Sequence, residues 1–277
     1  MTTTSPKPKD RPERYPLFGV PEGYDSVLLA KLARERSGTI LHVCSDDMRF
    51  EEICEALKFF AADIEVLRFP AWDCLPYDRI SPTSDVVGER LRTLSRLMHR
   101  PAGKPLIVLT TVSALGQRVP PRDTLKNAVF SARVNEELDM AAMQAFMAAN
   151  GYNRTETVRE AGEFAIRGSL IDIFPSGSPE PLRIDTFGDE IENIRAFDAL
   201  SQRTTEERKE LTLYPVSEAL LTEETIARFR AAYREMFGAV RDDDPLYEAV
   251  SAGRKYAGME HWLPLYYGTL DTLFDYL

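Results

Sequence analysis

The chain has 277 residues, which is enough for about two domains at roughly 150 residues each. Hydrophobic residues make up 44% and charged residues 28%, a balance typical of soluble globular proteins whose core needs no disulfide or metal staples. The formal net charge of −10 argues against a surface that binds nucleic acid as a whole, because such surfaces carry a clustered excess of Lys and Arg. It leaves room only for a local basic patch.

The cysteines and histidines indicate neither a metal site nor a disulfide. Cys44, Cys54 and Cys74 are odd in number and widely spaced, without a CxxC pair, so neither a zinc site nor a disulfide framework is supported. The three histidines are also far apart and lack metal-ligand spacing. We therefore expect a cytoplasmic protein without metal or cofactor, in which Cys44 and Cys54 pack as small hydrophobes.

The first 24 residues are predicted to be a disordered leader that ends in a degenerate loop. Residues 1–16 are polar and rich in proline, and they lack the apolar stretch of a signal peptide. No run of about 18 apolar residues occurs in the sequence, so no membrane span is expected. The sequence stops within the apolar segment 272–277, which suggests a fragment of a longer protein.

Residues 25–128 alternate between helical and strand patterns. The predicted elements in chain order are a helix over 26–35, a buried strand over 39–44, a helix over 46–61, a strand over 65–69, a helix capped by Ser84, and a strand over 105–110. The helix capped by Ser84 carries Val87, Leu91, Leu94 and Met98 at helical spacing. Strands separated by helices favour parallel βαβ units. The sequence therefore predicts an α/β fold whose first domain, residues 25–128, holds a parallel sheet.

The pattern changes near residue 129. From 129 to 214 the predicted strands alternate with turns, and one helix interrupts them, from an N-cap at Asp139 to a stop at Gly151. From 215 to 277 the pattern is helical again. We therefore predict an inserted, smaller β-rich α/β domain over 129–214, followed by a partial helical segment over 215–277.

Residues 19–26 stand where a phosphate-binding loop would stand, just before the first helix. Gly19, Gly23 and Ser26 suit such a loop, in which backbone N–H groups wrap the phosphates and a Ser or Thr holds Mg²⁺. Asp25, however, takes the place of the lysine, and Glu22 lies close by. Since two carboxylates repel a triphosphate, the segment is either a degenerate nucleotide site or an ordinary loop. Both interpretations predict no ATP hydrolysis.

Four segments carry a resemblance to a known family: residues 69–78 with 81–82 and 89–91; 110–115 with 117, 118 and 120; 162–175 with 182–185, 187–191, 195, 197–198 and 201–204; and 258–262. Together they resemble the UvrB-homology region at the amino terminus of bacterial transcription-repair coupling factors, the Mfd family. The similarity covers nearly all of the chain after the leader, and the third segment is long, gap-free and specific. UvrB shares the third and fourth segments, but it carries an intact phosphate loop and is therefore the second choice.

The resemblance implies a degenerate RecA-like domain that is interrupted by a small α/β domain, in the arrangement of UvrB domains 1a, 2 and 1b. It implies that the small domain recruits UvrA, the damage-recognition protein of nucleotide excision repair. The remainder of the full-length protein is expected to mask this surface. RNA polymerase and DNA are expected to bind regions outside these residues, where the ATP-dependent translocase motor also lies. This chain is thus expected to be an adaptor and not an enzyme.

The family's UvrA contact maps onto Arg167, Arg183 and Phe187 of this sequence. Strand alternation supports part of this assignment, because Arg183 and Phe187 share one face of the strand predicted over 182–187. That face also holds Asp185, whereas Leu182, Ile184 and Thr186 face the core. An exposed arginine beside an aromatic ring is typical of interface hot spots, and Arg can bind a partner carboxylate through two hydrogen bonds.

Neighbouring residues extend this candidate site and leave alternatives open. Arg195, on the following strand, and Asp185 could extend the patch, while Asp172 is a less certain neighbour that is expected to be structural. Alternatively, Arg183 pairs with Asp185 or Glu192 on a solvated face, and Phe187 folds into the core.

Two alternatives to the adaptor remain at this stage. The chain could be an intramolecular clamp that inhibits the motor at rest, which predicts binding to the rest of the protein but none to UvrA. It could also be a UvrB-like DNA-translocating ATPase domain, against which Asp25 argues.

Overall fold

The computed structural model describes residues 16–36, 38–76, 78–100, 103–126, 128–240 and 244–277. The predicted disordered leader falls largely on residues 1–15, which lie outside the described residues. Helices and strands alternate in the first third of the chain, and a larger, mostly antiparallel sheet follows. The predicted α/β class is confirmed.

Three parallel strands form the first sheet. They are β1 (Thr39–Cys44), β2 (Glu65–Phe69) and β3 (Leu106–Thr111), in the order β1-β3-β2. All residues of the central strand β3 are buried. In β1, which we predicted to be a buried strand, only Cys44 is buried, because β1 lies at an edge of the sheet and has a neighbour on one side only.

Helices cover both faces of this sheet because the residues of β3 alternate between them. Ile107 and Leu109 pack with α1 (Tyr24–Glu35) and α2 (Asp47–Phe60). Leu106 and Val108 pack on the other face, against α3 (Ser84–Met98). The short helices α4 (Val112–Leu115) and α5 (Arg122–Leu125) follow β3.

The helix caps agree with the sequence at α2 and differ at α3. Asp46 caps α2, since its carboxylate accepts a hydrogen bond from the Arg49 backbone N–H. At α3 the N-cap residue is Thr83, and the predicted cap, Ser84, is the first helical residue. The prediction for Ser84 was therefore wrong by one position, which is the usual uncertainty of a helix boundary.

The inserted part begins and ends in a pair of antiparallel strands, β4 (Phe130–Arg133) and β11 (Glu210–Leu213). Between them lies helix α6 (Met140–Ala149), capped by Asp139 as predicted. A six-stranded sheet has the order β10-β9-β8-β7-β6-β5, antiparallel except for the β5–β6 pair. Its strands are β5 (Asn153–Arg154), β6 (Glu163–Arg167), β7 (Leu170–Ile173), β8 (Leu182–Phe187), β9 (Glu190–Phe197) and β10 (Thr204–Arg208).

One face of the six-stranded sheet forms a second hydrophobic core. Ile171, Ile184 and Ile194 come from successive strands and are fully or almost fully buried. Met143 and Met147, one turn apart on α6, cover them. The opposite face of the sheet is therefore free to carry polar side chains.

After the insertion, the chain becomes helical and returns to the parallel sheet. The elements are α7 (Glu223–Phe237), α8 (Pro245–Ser251), a 3-10 turn (Met259–Trp262), α9 (Leu263–Tyr266) and α10 (Leu273–Tyr276). Tyr276 is buried and donates a hydrogen bond to the carbonyl of Pro120, while Asp271 pairs with Val119. The last helix thus packs with α3 against the parallel sheet.

Two backbone segments touch where the inserted part meets α3. Gly88 of α3 lies against the turn that contains Gly177, so closely that a Cβ atom on Gly88 would stand 2.0 Å from the Gly177 nitrogen. No L-amino acid with a side chain fits there without a backbone shift. The joint between the two sheets therefore depends on a pair of glycines.

A buried ion pair ties α3 to the segment that follows the insertion. Arg90 and Glu218 have fully buried side chains, and Arg90 Nε lies 2.5 Å from Glu218 Oε1. Arg90 Nη1 also donates to the Pro70 carbonyl at 2.8 Å and to Gln117 Oε1 at 2.9 Å. Trp72 Nε1 donates to the same Glu218 oxygen at 3.2 Å. These bonds join four separate chain segments in the interior.

The cysteines differ in accessibility, which predicts their reactivity. Cys44 and Cys54 are buried, as predicted, and Cys74 is half-buried. Burial raises the pKa of the Cys44 thiol to about 11 and that of Cys54 to about 12; it also raises the pKa of Cys74. Because the thiolate is the reactive form, we expect maleimide at pH 8 to label Cys74 first.

Timed labelling followed by peptide mass spectrometry measures this order. The same reaction in guanidinium chloride should label all three cysteines together, which is the control for intrinsic reactivity. Labelling of folded Cys44 as fast as Cys74 would contradict the burial described here.

None of the helices in the described ranges combines the length and the apolar character that crossing a bilayer requires. Within the same residues, no three His, Cys, Asp or Glu side chains are grouped in a way that suits a metal ion.

Candidate protein-binding site

The polar face of the six-stranded sheet carries a row of charged side chains. Asp172 of β7 is paired in register with Arg183 of β8, and Arg183 with Arg195 of β9. Residues that are opposite each other on antiparallel strands point to the same side of the sheet. The register therefore places these three side chains next to one another, on the face away from α6.

Asp172 is the buried acceptor of this row. Its side chain is fully buried. Its carboxylate accepts hydrogen bonds from Arg183 Nε at 2.7 Å and from Arg183 Nη2 at 3.0 Å, and it also accepts one from Arg167 Nη2. One buried carboxylate thus holds two arginines, in the charge-assisted geometry that makes such bonds strong.

Arg183 is held on every side by the protein itself. Its side chain is only 16% exposed. In addition to the two bonds to Asp172, Nη1 lies 3.4 Å from the Gln202 carbonyl, and the guanidinium carbon lies 4.7 Å from the centre of the Phe197 ring. Hydrogen bonding to Asp172 raises the pKa of the Arg183 guanidinium, so it stays charged at all physiological pH values.

Arg167 and Arg195 are more open to solvent. The Arg167 side chain is 50% exposed and contacts Asp172 through Nη2. Arg195 is 38% exposed and forms an ion pair with Asp185. Arg167 is the last residue of β6, and it pairs in register with Leu170, the first residue of β7. Its guanidinium therefore reaches along the sheet to Asp172 and keeps its outer edge in solvent.

Phe187 is the most exposed of the predicted site residues, at 78%. It ends β8, and Gly188 follows with a φ of 63°, a conformation that favours glycine and turns the chain into β9. A register shift between Asp185 and Thr186 precedes it. The alternative that Phe187 folds into the core was wrong, because most of the ring is exposed to solvent.

The structure brings all the predicted site residues onto one face but changes their pairing. Arg183 does not pair with Asp185 or Glu192, as one alternative had it; its partner is Asp172. Asp185 pairs with Arg195 instead. Asp172 was expected to be structural, but its pairing with Arg183 was not predicted because it depends on the register between β7 and β8. One signal was present, since Asp172 is the charged residue in an otherwise apolar strand, LIDI.

The segment that resembles a phosphate loop is occupied by the protein's own charges. Gly23 adopts the left-handed conformation before α1, and Asp25 accepts a hydrogen bond from the Ser26 N–H at 2.9 Å. Asp25 also forms an ion pair with Arg49 of α2, with 2.5 Å between Nη2 and Oδ2. A carboxylate thus stands in the first turn of α1, where the helix dipole would favour a phosphate.

Sequence comparison shows which known proteins this chain resembles. The family model for the UvrB interaction domain matches residues 130–218, which contain the whole candidate face. The transcription-repair-coupling factor of Haemophilus influenzae is 35% identical over 96% of this chain, and that of Escherichia coli is 34% identical over 91%. The chain is homologous to the amino-terminal, UvrB-like region of transcription-repair-coupling factors.

The homology covers most of this chain but a small part of the relatives. The chain spans 23% of the length of the Haemophilus influenzae protein and 22% of that of the Escherichia coli protein. A relative from Rickettsia prowazekii is 36% identical over 86% of this chain and 21% of its own length. The UvrB interaction domain overlaps the predicted inserted domain, 129–214, whose bounds stay a prediction.

Proposed function

We propose that this chain is the adaptor part of a transcription-repair-coupling factor and that its UvrB interaction domain recruits UvrA. The observation that carries the proposal is that an exposed aromatic ring, Phe187, and a half-exposed guanidinium, Arg167, lie on the same polar face of the six-stranded sheet. Aromatic and arginine side chains dominate the energy of protein interfaces. The match of residues 130–218 to the UvrB interaction domain supports this choice of partner class.

The proposed site consists of the residues that the sequence pointed to. Arg167 and Phe187 are the contact residues, and Arg195 with Asp185 extends the face. Arg183 belongs to the same site through Asp172. We propose that recruitment by this face links stalled transcription to nucleotide excision repair, with RNA polymerase and DNA held by other regions of the full-length protein.

Under this proposal the chain does not hydrolyse ATP. The ion pair of Asp25 with Arg49 supports it, because an entering triphosphate would meet a carboxylate in the first turn of α1. We accordingly propose a division into residues 25–128, 129–214 and 215–277, of which the second carries partner binding. The alternatives, an intramolecular clamp and a UvrB-like ATPase domain, make different predictions in the experiment below.

Phe187→Ala is expected to weaken binding to purified UvrA by more than about 2 kcal/mol, the range of interface hot spots. The reason is that a large exposed ring loses its contact area in the complex while the free protein loses no packing. Isothermal titration calorimetry of UvrA against the parent chain and the variant measures the difference directly.

Phe59→Ala is the matched control, because Phe59 is 82% exposed on α2, outside the UvrB interaction domain. It should leave the affinity unchanged. If the folded parent chain binds no UvrA, recruitment by this chain is ruled out, and a pull-down with the remainder of the full-length protein then tests the clamp. Equal losses in both variants would mean that the candidate face is not the site.

A further inference from the structure

The two arginines that Asp172 holds are not equivalent. Arg183 uses Nε and Nη2 on Asp172 and Nη1 on the Gln202 carbonyl, and its side chain is 16% exposed. Arg167 uses only Nη2 in the described hydrogen bonds, and half of its side chain is exposed. A partner can therefore reach the outer edge of Arg167 but not the donors of Arg183.

We infer that Asp172 is a positioning residue that fixes Arg167 as the partner-contacting guanidinium, while Arg183 is an internal strut rather than a contact. This inference rests on the proposed recruitment of UvrA. Asp172 is fully buried and cannot touch a partner itself. Its effect on binding must pass through the side chains that it holds.

The chemistry of a buried carboxylate explains why two arginines are needed. A carboxylate in the interior is costly unless its lone pairs are filled by donors. Arg183 fills both oxygens of Asp172 from the inner side, with bonds of 2.7 and 3.0 Å, and is itself clamped over Phe197. Asp172 is thereby fixed in orientation, and its Oδ2, which accepts from Arg183 Nη2, also accepts a hydrogen bond from Arg167 Nη2.

The fixed geometry defines the kind of surface that fits. An arginine that is held by one nitrogen has lost much of its rotamer entropy before binding, so less is lost when a partner carboxylate binds its free edge. Leu170 of β7 pairs in register with both Arg167 of β6 and Asp185 of β8, so Arg167 and Asp185 lie at the same level of the sheet. Phe187 follows two residues after Asp185, at the end of β8. The complementary surface on the partner is therefore a carboxylate beside an apolar pocket for the Phe187 ring.

A double-mutant cycle tests this inference. The variants are Asp172→Asn, Arg167→Gln and both together, each titrated with UvrA. If Asp172 acts through Arg167, each single variant should weaken binding by about tenfold or more, and the double variant should be about as weak as Arg167→Gln alone. Effects that multiply in the double variant would overturn the inference, since Asp172 would then act independently of Arg167.

A second variant separates the strut from the contact without removing the buried carboxylate. Arg183→Gln keeps a donor for Asp172 and leaves Arg167 to balance its charge. It should weaken binding by less than about threefold, whereas Arg167→Gln should reach about tenfold. A folded Arg183→Gln variant that loses as much as Arg167→Gln would show that Arg183 contacts the partner. Glu210→Gln, in the exposed pair with Arg133, is the control in the same domain.

Arginine side-chain ¹⁵N relaxation provides a measurement that needs no partner. We expect the Nε of Arg167 to be ordered in the parent chain and to become mobile in Asp172→Asn. Unchanged order of Arg167 in that variant would overturn the positioning role. If the parent binds no UvrA, the proposed function fails on the calorimetry, while the relaxation data still decide whether Asp172 positions Arg167.

Discussion

Replacing Arg90 with methionine is expected to lower the free energy of unfolding by about 3–5 kcal/mol, the range for breaking a buried ion pair. The Glu218 carboxyl group would be left fully buried without its cation. The Pro70 carbonyl and Gln117 Oε1 would also lose the Nη1 donor. Urea denaturation followed by circular dichroism gives the free energy, provided that the transition stays two-state.

Arg96→Met is the matched control for Arg90→Met. Arg96 lies on the same helix, α3, and pairs with Glu65, but both side chains are more than 40% exposed. Surface pairs of this kind contribute about 0–1 kcal/mol, so the control should unfold close to the parent. A loss below about 1 kcal/mol for Arg90→Met as well would mean that the buried pair contributes no more than a surface pair.

The double variant Arg90→Met, Glu218→Met separates the stability that is lost by leaving a buried charge unpaired from the stability that is lost with the hydrogen bonds. Buried ion pairs can often be replaced by hydrophobic residues without loss. Here, however, Trp72 Nε1 would lose its acceptor and the Pro70 carbonyl its donor, while Gln117 Oε1 would keep only the Trp72 backbone N–H. We therefore expect the double variant to recover part of the stability lost by Arg90→Met and not all of it.

Gly88→Ala is expected to lower the free energy of unfolding by about 1–3 kcal/mol, the usual cost of overpacking. The added Cβ would stand 2.0 Å from the Gly177 nitrogen and 2.6 Å from its Cα. Both atoms are backbone, so the helix or the turn must move. In an open helix the same change would stabilise the protein by about 1 kcal/mol, because alanine has the higher helix propensity.

The sign of the effect makes Gly88→Ala a sharp measurement. Gly116→Ala is the control, since its Cβ would meet only the Ser113 carbonyl, at an ordinary 3.6 Å. Thermal unfolding of the two variants should therefore move the midpoint down for Gly88→Ala and leave it nearly unchanged for Gly116→Ala. A higher midpoint for Gly88→Ala would show that α3 and the Gly177 turn do not touch in solution.

Local patterns in the sequence predicted the secondary structure well. The bounds of β1 and β2 agree with the predicted strands 39–44 and 65–69. A short apolar run between turn residues can be recognised from neighbouring residues alone, so the prediction needs no knowledge of the tertiary structure. The burial of β1 was overestimated, since its place at the edge of the sheet is decided by β3, more than 60 residues further along. Order within a sheet is not a local property.

The candidate face shows the same division between local and long-range information. Alternation along β8 placed Arg183 and Phe187 on one side, and the structure agrees. Leu182 and Ile184 are buried, and Thr186 pairs with Ile191 of the core, so Arg183 and Phe187 lie on the other face. The partner of Arg183 could not be predicted, because Asp172 lies on β7 and only the β7–β8 register brings the two together. The contact of Gly88 with Gly177 is equally long-range.

The pairing of β4 with β11 has a consequence for the history and engineering of this protein. Arg133 stands opposite Glu210, so the two ends of the intervening segment are neighbours across a single ladder. Residues 134–209 therefore connect β4 to β11 in the same way as the turn of a β-hairpin connects its two strands. Since the entropic cost of closing a loop grows only slowly with its length, this segment can be inserted, exchanged or replaced by a tight turn without changing the path of the rest of the chain.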